Sequence, residues 1–203
     1  MTFIPTEADN LRAIRHVNFE VQNFTLLSAI LLFNDDVINK TPLRNIVLSY
    51  WVILFRSTKD FFKDYSSKSP DDILAYHFLI NKNQLVNIRP VNLDAEAKRA
   101  NKMAAHLTYS RDENIDNNTD KWNIPKIYQE IVTKFNLFIT TLENESPNVY
   151  SSKFWKMPTT IIELSEFYNK DEMDINISKL KIIIELNKFP SNAYSSTSPI
   201  MPH

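Results

Sequence analysis

Two short runs of this sequence hold residue types that could do chemistry. The first, Arg99-Ala-Asn-Lys-Met-Ala-Ala-His-Leu-Thr-Tyr-Ser-Arg111, reads as one helix carrying an arginine, a histidine and a second arginine. The second, Arg56-Ser-Thr-Lys-Asp60-Phe-Phe, sets a cation and a carboxylate inside an apolar run. Arg99 and His106 are seven apart, so they return to nearly the same face after two turns, with Lys102 along that edge. A histidine beside arginines suits phosphodiester cleavage. The imidazole moves a proton near neutral pH, while a guanidinium binds the phosphate and stabilises the charge that develops on it. In RNA the 2′-hydroxyl could be the nucleophile, so the chemistry calls for no metal and no cofactor. Asp60 could hold His106 or an arginine in place.

A plainer reading stands beside this one. Arg56 and Asp60, four apart on a helix, have the spacing of a structural pair. A lone histidine among alanines is commonly a packed or capping residue. His16, near Arg12 and Arg15, reads as bundle edge, and His77 beside Asp71 and Asp72 falls short of a metal site. Trp51, Trp122 and Trp155 are core or interface anchors before they are base-stacking platforms.

Composition narrows the classes. The 203 residues contain no glycine, against about 14 at ordinary usage of roughly 7%. Phosphate-cradling loops that need glycine's backbone freedom are thereby excluded, and so are hairpins built on Asn-Gly turns. Cysteine is also absent, which removes disulfides and thiol catalysis and is compatible with a reducing cytoplasm. A net charge of −1 gives no global attraction to nucleic acid, so RNA binding would need a local patch. The first residues lack the basic and apolar regions of a signal peptide. The longest apolar stretch, Ile46 to Phe55, is far short of the roughly 20 residues that span a bilayer.

The elements that must position these groups read as an all-α fold: a four- to five-helix up-and-down bundle with a C-terminal helical extension. Helix one is expected over Glu7 to Phe33, from Ile14, Val17, Val21, Phe24 and Leu31. Thr41-Pro42 starts helix two, which runs to about Asp64 and is apolar almost all round between Ile46 and Phe55, as suits a central helix. A short helix is expected at Asp71 to Leu79, an irregular stretch over Asn81 to Pro90, and a third main helix capped at Asn92. Helix four spans about Asn123 to Leu142, with Ile127, Ile131, Phe135, Phe138 and Leu142 as its stripe. The bundle is expected over 1–145 and the extension over 146–203. That extension begins as a linker, then has a short helix at Thr159 to Asn169. The segment Asp174 to Leu186 reads as helix rather than strand, and a mobile tail begins from about 190.

Several of these features recur together. Arg56-x-x-x-Asp60-Phe61-Phe62 in a long apolar helix is followed by Asp71-Asp72-Ile73-Leu74-Ala75 with Phe78. Then come Asn101-Lys102-x-x-Ala105-His106-Leu107-Thr108-Tyr109-x-Arg111, and Trp122 ahead of the last bundle helix. As a set, spanning Glu7 to Leu142, they resemble a family of uncharacterised bacterial helical proteins related to the HEPN superfamily (higher eukaryotes and prokaryotes nucleotide-binding). The resemblance implies a helical bundle, with Arg56, Asp60, Lys102, Tyr109 and Arg111 as binding residues. The catalytic HEPN motif is an arginine, four to six residues and a histidine. Arg99 and His106 match it with six between, though Ala100 replaces the usual polar residue.

Three readings follow. The leading one is a non-catalytic, cytoplasmic binding or interaction module, as a homodimer, that takes a protein or nucleotide-like partner. The second is a metal-independent endoribonuclease of HEPN type, with His106 and Arg99 catalytic, in a defence or toxin system. The third is a small-molecule bundle with an anion site at Arg56 and Arg111. The second has a direct test in metal-free cleavage of a mixed, structured RNA pool. Cutting that vanishes in a still-folded His106→Ala variant would establish it, and equal cutting by both proteins would remove it.

Overall fold

The computed structural model describes residues 5–33, 42–64, 72–105, 122–145 and 149–168. All of its regular structure among these residues is helical. In chain order the α-helices are α1 (Glu7–Phe33), α2 (Pro42–Asp60), the single turn α3 (Leu85–Ile88), α4 (Asp94–Ala105), α5 (Ile124–Asn144) and α6 (Ile161–Phe167). The expected all-α bundle is what forms. The segment 174–186 and the tail from about 190 lie outside the described residues.

Without glycine, helix starts are closed by side chains, while the ends of α2 and α5 are closed by backbone amides bonding back into the last turn. Thr6 and Asp9 cap α1 reciprocally: the Asp9 amide donates to Thr6 Oγ1 at 3.2 Å, and the Thr6 amide donates to Asp9 Oδ2 at 3.0 Å. Hydrogen bonds from Thr6 and the nearby Arg12 bring the Asp9 carboxyl down to about 2. The same box closes α6, where Glu163 and Thr160 exchange bonds. Asn123 caps α5, accepting from the Lys126 amide at 3.1 Å, with Pro125 in the first turn.

The predicted stripes of α1 and α5 are the buried ones. α1 packs on α2 and α5, and α2 packs on α4. Trp51 Nε1 donates to Ser28 Oγ at 2.8 Å, and Ser57 donates to Glu20. As the α2 numbers rise the α1 numbers fall, so the two helices are antiparallel. Lys59, with a side chain only 8% exposed, reaches the first residue of α4, Asp94, at 2.7 Å. The Lys59 hydrogen bond holds the Asp94 carboxyl below its usual range.

α2 departs from the sequence reading in two ways. It is not buried all round, because Ile46, Tyr50 and Ile53 are 59%, 41% and 49% exposed and form one open stripe. It also stops at Asp60 rather than near 64. The amides of Phe62 and Lys63 bond three residues back, to Lys59 and Asp60, tightening the chain so that both Phe61 and Phe62 turn inward. The expected helix at 71–79 is reduced to one 3₁₀ turn, Ala75–His77. The Ala75 amide is taken by the Phe61 carbonyl at 2.7 Å, and just past the segment the Ile80 and Asn81 amides go to the Glu145 carboxylate.

Residues 149–167 fall in the same compact unit as the bundle helices. Phe154 packs edge-on against Phe78 and Phe138, each at 5.1 Å, and joins a cluster with Phe61 and Phe135. Asn18 Nδ2 donates to the Lys153 carbonyl and its Oδ1 accepts from the Trp155 amide, while Asn136 holds Met157 in the same two-sided way. The Tyr128 hydroxyl, its pKa pushed up by burial, donates to the Pro158 carbonyl at 2.9 Å. If this stretch were a loose extension, Phe154→Ala would be nearly neutral. As a core residue it should cost about 3–5 kcal/mol in urea unfolding, the usual loss for emptying a buried phenylalanine site.

Candidate functional site

Where α1 passes the C-terminal end of α2, their packed faces separate around a cleft of about 390 Å³. Its apolar surface comes from Val17 and Val21 of α1, Ile53 of α2, and Phe61, Leu74 and Phe135. Seven polar side chains among the described residues line it: His16 and Glu20 from α1, Arg56, Ser57, Thr58 and Asp60 from α2, and Asp72 from the segment beyond. His16 and Glu20 are four apart and share a face of α1. Arg56 and Asp60 do the same on α2, one turn from where the helix ends.

The wiring is specific. Ser57 Oγ donates to a Glu20 carboxylate oxygen, fixing that carboxylate across the two helices. Asp60 pairs with Lys63, so the Arg56–Asp60 pair suggested by spacing does not form. Arg56 is half-buried, and its guanidinium makes no hydrogen bond or ion pair among the described residues. Other half-buried or buried cations are engaged. Lys59 holds Asp94, and Lys82 donates to the Tyr76 and Leu79 carbonyls while lying 4.7 Å over the Tyr76 ring. Arg99 lies 4.3 Å over Trp122. An unpaired guanidinium on an apolar-walled cleft can take a carboxylate or phosphate oxygen through charge-assisted bonds.

The predicted site residues are distributed as follows. Arg56 and Asp60 come together in the cleft. Arg99 does not line it; its guanidinium is stacked on Trp122, which itself packs edge-on against Trp51 and Phe55. His106, Tyr109 and Arg111 lie outside the described residues, as does the side chain of Lys102. Sequence reasoning missed Glu20, Ser57 and Asp72 and set His16 aside. The available signal was the His16–Glu20 spacing, but it gains meaning only once α1 is known to run antiparallel to α2. Among the described residues no group of three or more His, Asp or Glu side chains could hold a metal ion. No described helix is long and apolar enough to cross a membrane.

The chain matches no protein-family model, no curated protein and no solved structure.

His77 has a structural place away from the cleft. Its Nδ1 lies 3.4 Å from the Leu74 amide, and burial, with Lys82 nearby, keeps its pKa below the ordinary imidazole value. A depressed folded-state pKa favours the neutral ring. Its stability contribution is therefore present above about pH 6.5 and lost as pH falls through the folded value. The carboxylates with lowered pKa, Asp9, Asp94 and Glu163, titrate below that window. Urea unfolding of His77→Asn, which keeps an acceptor for Leu74, should therefore show a flatter dependence on pH between about 7 and 5 than wild type. Parallel profiles would show that His77 carries no such linkage.

Proposed function

We propose that this protein is a non-catalytic helical-bundle binding module, HEPN-like in architecture, that holds a small polar ligand in the α1–α2 cleft. Arg56 supplies the contact to the ligand's anionic group. The observation that carries this reading is the unpartnered, half-buried Arg56 guanidinium facing a cleft of about 390 Å³. That volume lies within the usual range for ligand pockets, about 300–1,000 Å³.

The packing of Arg99 supports binding over ribonuclease chemistry. Its guanidinium has one face on the Trp122 ring, in contact with an aromatic cluster of the core, rather than in the cleft with Arg56. Cation–π stacking of this kind stabilises a bundle without any substrate.

A residue kept for ligand rather than for fold has a distinct signature. Arg56→Gln removes no ion pair and should shift the unfolding free energy by less than about 0.5 kcal/mol. In a thermal-shift panel of small carboxylates, phosphates and amino acids, at least one compound should raise the Tm of wild type and leave the variant unmoved. A compound panel that moves neither protein, or moves both equally, would overturn the assignment of Arg56 as the ligand contact.

A further inference from the structure

The groups left free along the cleft decide what kind of ligand it can hold. Its described carboxylates are already engaged: Glu20 accepts from Ser57, Asp60 pairs with Lys63, and Asp72 has a polar interaction of its own. Arg56 and His16, the other ionisable groups among the described lining residues, make no hydrogen bond or ion pair. Both donate hydrogen bonds, and the guanidinium is always charged. What these walls leave unmet is therefore an acceptor, and beside Arg56 an anionic one. The apolar lining supplies a second observation. Val17, Val21 and Leu74 are buried, whereas Ile53 and Ile73 line the same space and remain exposed. Ile53 is three residues before Arg56 and shares its face of α2, while Ile73 comes from the segment beyond that helix.

We infer that the cleft takes an amphipathic anion: an oxyanion head, carboxylate or phosphate, on an aliphatic body of a few carbons. The head meets the Arg56 guanidinium through charge-assisted hydrogen bonds. The body lies against Ile53 and Ile73 and extends toward Val17, Val21 and Leu74, so that apolar surface now facing water is covered. A cleft of about 390 Å³ has room for such a body beside the head. A wholly hydrophilic anion, such as inorganic phosphate, would leave both isoleucines in water and gain the head contact alone. This inference rests on the proposed binding function and specifies its ligand.

Isothermal titration of the full chain with acetate, butanoate, hexanoate and octanoate, and with the n-alkyl phosphates of the same lengths, tests it. In at least one of the two series, affinity should rise by about fourfold for each methylene buried, and the series that rises identifies the head. Arg56→Gln should weaken every member of that series by a common factor of at least about tenfold, since a charge-assisted contact is lost. Ile53→Ser and Ile73→Ser, both at exposed positions, should flatten the rise with length and leave the shortest member unchanged, with circular dichroism confirming that all variants are folded. Affinity independent of chain length, or a rise that both isoleucine variants retain, would overturn the amphipathic class. If those anions still lose affinity in Arg56→Gln, the cleft stands as an anion site and only its ligand class falls. Binding by no member of either series overturns the class as well, and the Tm panel, with its amino acids, then decides the binding function separately.

Discussion

The structure depends on how two consecutive phenylalanines, Phe61 and Phe62, become buried at once. Neighbours on an α-helix point about 100° apart, and within α2 itself the adjacent pairs Trp51–Val52 and Leu54–Phe55 are both buried, which a flanking helix on each side allows. For Phe61 and Phe62 the chain tightens at the end of α2 and turns both rings into the core. Phe61 then meets Phe78, Phe135, Phe138 and Phe154, contributed by three separate parts of the chain. Edge-on aromatic pairs are worth about 0.5–1.5 kcal/mol each beyond the area they bury, so the cluster rewards every segment that joins it. The Phe61 carbonyl also pins Ala75, which brings Asp72, Ile73 and Leu74 to the mouth of the cleft. The site is a by-product of where α2 must stop.

Much of the bundle was legible because helices α1 and α5 each bury one periodic stripe. The bounds of the last bundle helix, expected from about Asn123 to Leu142, lie close to its observed span, Ile124–Asn144. The readings that failed involve long-range choices. Ile46, Tyr50 and Ile53 are as apolar as their buried neighbours, and nothing local says which face of α2 the other helices will cover. The sequence 71–79 has helical spacing, but the distant Phe61 carbonyl claims its Ala75 amide, and just past it the Glu145 carboxylate takes the amides of Ile80 and Asn81. Residues 146–158 read as a linker because Ser146-Pro147 and Met157-Pro158 are local signals. Phe154 and Met157 are buried through partners far away in sequence.

The site was legible only in part for the same reason. Arg56 and Asp60 stand out as charges in an apolar run. Glu20 and Ser57 become partners only when two antiparallel helices are in register, and Asp72 arrives through the turn that the phenylalanines impose. Spacing within one helix suggested an Arg56–Asp60 pair. A competing cation one turn further on, Lys63, takes the carboxylate instead and leaves the arginine facing the cleft.

The two-sided clasp of Asn18 on residues 153 and 155 also orders events in time. Its partners are separated from it by 135 and 137 residues. During synthesis, α1 and α2 can associate long before this clasp exists, while one side of α1 waits for chain that has yet to leave the ribosome. Closing so large a loop is not prohibitive, because each doubling of length adds only about 0.6 kcal/mol of entropy. Contacts of this range slow folding more than they weaken the product. The bundle thus has an early half built by neighbouring helices and a late seal, and opening of that seal is where hydrogen exchange along α1 would begin.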